Sequence, residues 1–161
     1  MGVWHGNLKT RKIMLKEGNI PKIIDFMFTD LTRQKDIQLE YPEELAEALK
    51  SEQPEDYNSP EQLNEGKIDN LTDIFSLGAI FLELFTGKKV SGISFNSVTE
   101  VEKCMVNYNP KIPRTLAKII FKAIRPNRKE RYASMKEMVD DFMQSTTLWS
   151  RVLYFFGIRR F

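Results

Sequence analysis

Two features are nearly missing from this 161-residue chain: long apolar runs, and cysteine beyond a single residue, Cys104. No apolar stretch approaches the ~18 residues that a membrane-spanning helix requires. A lone cysteine cannot close an internal disulfide, so a secreted, disulfide-stapled scaffold is not expected, and Cys104 itself reads as a buried apolar side chain. Only 8 glycines and 7 prolines occur, which excludes collagen-like and low-complexity chains. The opening residues Met1 to His5 have neither the basic start nor the apolar stretch of a signal peptide. Gly6 stands where a myristoylation signal needs Ser or Thr. A cytoplasmic location is therefore expected. What is present, 42% hydrophobic and 29% charged residues, suits a folded soluble domain rather than a disordered tail.

The formal net charge of +2 hides an asymmetry: residues 35–65 hold ten acidic residues against two basic ones. The acidic block reads as a solvated connecting segment, and the basic residues elsewhere are scattered rather than gathered on one face. No nucleic-acid partner is expected from that distribution.

Residues 13–15 and 22–26 are short apolar runs separated by the turn-rich spacer 16–21, the pattern of a β-hairpin whose Gly18 can supply a positive φ. A polar stretch follows, with a weak helix expected over residues 42–49. Ser59-Pro60-Glu61 reads as a helix start, with Ser as N-cap, Pro at the first position and an acid in the first turn. Residues 73–85 (DIFSLGAIFLELF) are apolar nearly all round, so this helix must be buried as the core axis. Thr86-Gly87 ends it. Further helices are expected over 97–106 and 113–124. In the second, Leu116, Ile119, Ile120, Ala123 and Ile124 form a one-sided stripe. Ser134-x-x-Glu137 is a capping box that opens a last helix through Met138, Val139, Phe142 and Met143.

The order and spacing of five short motifs carry a resemblance. They are residues 5–12 (HGNLKTRK), Asp25-Phe26-Met27, Ser59-Pro60-Glu61, residues 73–87, and Arg131 before the last helix. Together they resemble the C-terminal lobe of eukaryotic-like serine/threonine protein kinases over about residues 3–145. The resemblance implies a mostly helical α+β fold, a kinase-like C-lobe with a short N-terminal hairpin and a buried central helix. Residues 146–161 form an aromatic and basic extension beyond it. That extension suits either helical packing on the core or peripheral membrane contact, and packing is the preferred reading.

The family's catalytic loop reads His-Arg-Asp-Leu-Lys-x-x-Asn, so Asn7 falls at the catalytic-base position. An amide orients a hydroxyl but cannot hold its proton near neutral pH. Lys12 falls at the second metal position, where an ammonium cannot ligate Mg²⁺. Lys9 matches the lysine that meets the transferred phosphate, and Asp25 matches the Mg²⁺ ligand of the Asp-Phe-Gly turn, with Met27 in place of Gly. His5 is implied to pack beneath the loop, and Asp73 to accept its backbone N–H groups. Glu61 and Arg131 are implied to form a buried ion pair. Thr29, Thr32, Ser51 and Tyr57 lie in the activation-segment equivalent, yet Gly6 replaces the arginine that would pair with a phosphate there. Gly87-Lys88-Lys89 lacks the upstream glycine of a phosphate-binding loop and ends a helix instead of opening one.

The chain opens two residues before Val3-Trp4-His5, which leads to the expectation that the N-terminal lobe is absent and that half an ATP site is present at most. The expected function is a catalytically impaired pseudokinase-type module that works by binding a protein, either a kinase N-lobe or another kinase. No cofactor is expected, or ATP and Mg²⁺ if activity is retained. The alternative is a truncated serine/threonine kinase that transfers the ATP γ-phosphate to protein hydroxyls. A decayed gene piece without stable function is a third reading.

Overall fold

A 17-residue helix, Asn70–Thr86, forms the axis of the molecule and is buried on most of its circumference. The computed structural model describes residues 4–17, 20–25, 56–64, 66–90, 97–108, 110 and 112–155, with side chains to residue 145. Its elements in chain order are strands β1 (Ile13–Lys16) and β2 (Ile20–Ile23) and helices α1 (Pro60–Leu63), α2 (Asn70–Thr86), α3 (Val98–Tyr108), α4 (Thr115–Ala123) and α5 (Met135–Phe155). The helix expected over residues 42–49, Gly18, and the acidic block up to residue 55 lie outside the described residues.

The start of α2 follows from its sequence. The Asp69 carboxylate accepts the Leu71 N–H at 3.0 Å, and the Asp69 N–H reaches the Thr72 hydroxyl at 3.4 Å. The helix ends at Gly87, whose φ of +65° is the left-handed conformation that terminates helices, and whose N–H closes onto the Glu83 carbonyl at 2.8 Å. Between these ends Ile74, Phe75 and Leu82 enter one core with Val101 and Met105 of α3, Leu116, Ile119 and Ile120 of α4, and Met138 of α5. A second, smaller cluster joins Ala79 and Ile80 to Leu8 and Tyr57, which sets the opposite flank of α2 against the first loop of the chain.

Gly78 lets α2 pack close against the end of α4. A Cβ at this position would lie 2.6 Å from Ala123 Cβ and 3.0 Å from Ile124 Cγ2. Alanine is the better helix former by about 1 kcal/mol, but overpacking against a methyl and a chain end that cannot swing away costs more. Gly78→Ala is expected to lower stability by about 1–3 kcal/mol, read from its urea midpoint. A midpoint at or above wild type would mean that the two helices separate freely.

All five residues of the α4 stripe are buried, so its one-sided period reports its packing correctly. The last helix differs from its sequence pattern. Met138 is buried, but Val139 and Met143 are exposed, because each sits one step of about 100° round from the inward line of Met138, Phe142 and Ser145. Cys104, expected to be buried, is only partly so. The α5 backbone runs on helically to Phe155.

The hairpin pairs Ile13 with Ile23 and Lys16 with Ile20. It sits at the surface: Met14, Leu15, Ile20 and Ile23 are all exposed, Leu15 at 68%. No helix among the described residues is long and apolar enough to cross a membrane.

Candidate functional site

Residues 4–12 form a loop held at both ends by partners far away in sequence. The Asp73 carboxylate, in the first turn of α2, accepts the His5 N–H at 2.6 Å and the Gly6 N–H at 2.7 Å, one on each oxygen. Gly6 itself has a φ of +68°, in the left-handed region that glycine enters without strain. On the other side, Gln62 of α1 donates from Nε2 to the Gly6 carbonyl at 2.9 Å, while its Oε1 accepts the Ser59 N–H at 2.9 Å. Gln62 thus ties the loop to α1.

His5 is buried beneath the loop. Its Nδ1 accepts the Asn7 N–H at 3.2 Å, which assigns the ring proton to Nε2; that nitrogen donates to the Ile24 carbonyl at 2.8 Å. The imidazole therefore joins the loop to the strand end that carries Asp25. Burial raises the Asp73 pKa above the usual carboxylate range, against the opposing pull of the His5 and Gly6 N–H groups.

Downstream, the Lys9 carbonyl caps the 3₁₀ turn Thr10–Lys12 through the Lys12 N–H at 2.9 Å. The Ile24 N–H donates to the Lys12 carbonyl at 3.0 Å, extending the hairpin pairing and drawing residues 12 and 25 together. Lys12 Nζ lies 3.9 Å from Asp25 Oδ2, with the lysine side chain 10% exposed and the aspartate 44%. Asp25 has a φ of +65° and is the one non-glycine residue at positive φ among those described, a conformation that aspartate tolerates better than most residues. Lys9 is buried, and Asn7 is half-buried.

The kinase resemblance implies Mg²⁺ at Asp25 and at the position of Lys12. Mg²⁺ needs oxygen donors in near-octahedral array at about 2.0–2.1 Å. Here one carboxylate faces an ammonium, and no cluster of three or more His, Cys, Asp or Glu side chains suited to a metal occurs among the described residues. The donor set does not fit that metal pair.

Below the loop, Arg131 meets Glu61 in a two-pronged contact, NH1 to Oε1 and NH2 to Oε2, each at 2.8 Å. The other Arg131 donors reach the carbonyls of Arg125 (2.7 Å), Leu71 (3.0 Å) and Pro126 (3.2 Å). All five guanidinium N–H groups are therefore used. Thr72 adds its hydroxyl to Glu61 Oε1 at 3.1 Å. Burial pushes the Glu61 pKa up, but the Arg131 hydrogen bonds and charge prevail and hold it down at about 2.

One cluster is absent from the motif reading. The Tyr57 hydroxyl donates to Glu83 of α2 and pairs with the Thr10 hydroxyl at 2.9 Å, while the Tyr57 carbonyl accepts from Ser76 at 2.9 Å. Burial, and then Glu83, raise the Tyr57 pKa. The hydroxyl named above as a phosphorylation candidate is thus committed inward, joining the loop, the segment before α1 and the central helix. Glu83 was the available signal: an acid on an otherwise apolar buried helix needs a partner. Thr29, Thr32 and Ser51 lie outside the described residues.

Comparison with known proteins gives the family and the fold. Residues 1–143 match the family model described as "Protein kinase domain". The chain is 26% identical over 153 residues to the "Probable serine/threonine-protein kinase PknB" of Lactococcus lactis, covering 91% of this chain and 23% of that protein. It is 28% identical over 149 residues to the protein of the same name from Bifidobacterium longum, covering 89% of this chain and 21% of that protein. The crystal structure of a double mutant of the Mycobacterium tuberculosis PknI kinase domain superposes with a TM-score of 0.57 at 16% identity, covering 90% of this chain and 46% of that one. The chain therefore spans about a fifth of the length of these curated relatives.

Proposed function

Because the chain belongs to the protein kinase family, we propose that it is a catalytically impaired, pseudokinase-type module that acts by binding another protein. The observation that carries this reading is a loop fully anchored by Asp73, His5 and Gln62 that nevertheless presents Asn7 at the base position. Phosphoryl transfer depends on positioning and charge neutralisation, plus a carboxylate that accepts the proton of the attacking hydroxyl. The Asn7 amide orients a hydroxyl and holds no proton, a loss on the order of 10²–10⁴ in rate where general-base catalysis operates. Lys9 is retained and would face a transferred phosphate. His5, Glu61, Asp73 and Arg131 serve the architecture. Nucleotide binding is not part of this reading, and the module is taken to work in the cytoplasm.

Protein binding draws support from the hairpin, which exposes Leu15 and Ile23 on one face and Met14 and Ile20 on the other, with Trp4 exposed nearby in sequence. An apolar surface of that kind suits a protein partner, either a kinase N-lobe or a second kinase. Residues 146–161 are treated as an extension to the kinase-like unit of residues 1–145.

The competing reading, a serine/threonine kinase that is active in its complete form, is favoured by the retention of Lys9 and Asp25 and by the names of the relatives. A thermal-shift titration with ATP and Mg²⁺, alongside γ-phosphate transfer to protein, separates the two in the longest natural polypeptide that carries this chain. No nucleotide-dependent shift and no transfer above background are expected. A clear shift accompanied by transfer would replace the pseudokinase reading with the catalytic one.

A further inference from the structure

We propose that the Lys12 ammonium stands in for the divalent cation of this site, so that the chain takes no Mg²⁺ on Asp25. The inference rests on reading Lys12 and Asp25 as metal-site positions, and it concerns ion binding rather than phosphate transfer.

The geometry gives the reason. The Ile24–Lys12 backbone hydrogen bond fixes the lysine opposite the strand end that bears Asp25, so the ammonium is delivered to the carboxylate by the fold. Nζ stands 3.9 Å from Oδ2. A Mg²⁺ ion bound to that oxygen at about 2.1 Å would lie no more than about 6 Å from Nζ, whatever its direction. Coulomb repulsion of a divalent ion by a unit charge at about 6 Å weakens binding by roughly tenfold even in water, and by more at shorter range or lower dielectric. The lysine side chain is 10% exposed, so it has little room to swing into solvent and leave the site.

The donor count points the same way. Asp25 alone offers two carboxylate oxygens, and no cluster of three acidic, His or Cys side chains gathers with it among the described residues. The tethered cation supplies part of the charge that a metal would bring without needing a coordination shell. Asp25, with its carboxylate facing Lys12, is kept as the counter-ion of that lysine.

The test is a Mn²⁺ titration of the full chain followed by the paramagnetic signal of the free ion. Wild type is expected to leave Mn²⁺ free into the millimolar range at this site, with Asp25→Asn making no difference. Lys12→Met, which only removes the repelling charge, should strengthen Mn²⁺ binding at Asp25 about tenfold. Lys12→Asn, which also adds an amide oxygen, should strengthen it further, and each gain should be lost again when Asp25→Asn is added. The methionine variant keeps the length and burial of the stem, so a folding defect in one variant leaves the other to decide. A wild-type site that Asp25→Asn abolishes would overturn the proposal. So would two folded Lys12 variants that bind Mn²⁺ no more tightly than wild type. Phosphate transfer by the wild-type protein would end the pseudokinase reading above and leave the Mn²⁺ titration to judge this one.

Discussion

Replacing Arg131 with methionine is expected to cost about 3–5 kcal/mol, the range for removing one side of a buried ion pair. The loss is large because Glu61 would remain buried with the Thr72 hydroxyl and only the more distant Arg128 guanidinium, 3.9 Å away, while the carbonyls of Leu71, Arg125 and Pro126 lose a donor. For a domain whose whole stability is about 5–15 kcal/mol, that is enough to unfold much of the population on mild warming. Pairing Arg131→Met with Glu61→Gln should recover part of the loss, because the stranded charge is then gone. A double-mutant cycle from urea midpoints measures that recovery; a strictly additive pair would show that the contact carries no coupling.

The same pair sets an acid limb. The Glu61 pKa falls from 4.5 in the unfolded chain to about 2 when folded. Its contribution, about 3 kcal/mol, is fully present above pH 4.5 and is lost as the pH falls through 2. Asp73 acts in the opposite sense. Its pKa is raised above 3.8 in the fold, mainly by burial, so the native state binds more protons and stability falls as pH rises from 3.8 through the folded value. Arg131→Met should flatten the rise between pH 2 and 4.5 in a series of urea midpoints. An unchanged slope would mean that Glu61 is not held by Arg131.

Asp73→Ala is the second large effect. It strips the acceptor from two loop N–H groups bonded at 2.6 and 2.7 Å. Each unsatisfied buried donor costs about 1–3 kcal/mol, so the pair amounts to about 2–6 kcal/mol, offset in part by removing a carboxylate that resists ionisation. The damage should be local. The α2–α4 packing around Ile74, Leu82 and Ile120 does not involve Asp73, whereas the loop loses its main anchor. Amide hydrogen exchange is the discriminating readout: His5 and Gly6 should exchange at least tenfold faster, while the middle of α2 stays protected. Unchanged exchange at those two amides would remove Asp73 from its anchoring role. Asp73→Asn keeps one acceptor oxygen and should fall between the two.

Local features were legible in the chain itself. The all-round apolar run of α2 announces a buried axis, the stripe of α4 announces its inward face, and Ser134 and Gly87 mark helix ends. Each of these depends on residues within a turn or two of one another. The site was legible mainly through its kinase resemblance, because its contacts join residues some 60 to 70 positions apart, as in Gly6–Asp73 and Arg131–Glu61. Even that resemblance was silent on the Thr10–Tyr57–Glu83 chain and on the Gln62 tie to Gly6. It was silent too on the hairpin surface: short strands of mixed residues read the same whether covered or exposed.

By itself, the sequence determined the helices at the centre and in the C-terminal half and which of them is the buried axis, while the kinase resemblance implied that Asn7 and Lys12 stand at two chemically demanding positions. Periodicity, capping residues and side-chain chemistry are local properties, carried in full by the order of residues. Only the tertiary structure decided that the Lys12 ammonium lies 3.9 Å from the Asp25 carboxylate. That juxtaposition arises from a backbone hydrogen bond between residues 12 and 24 across the hairpin, and no local pattern encodes the meeting of two side chains brought together by strand pairing.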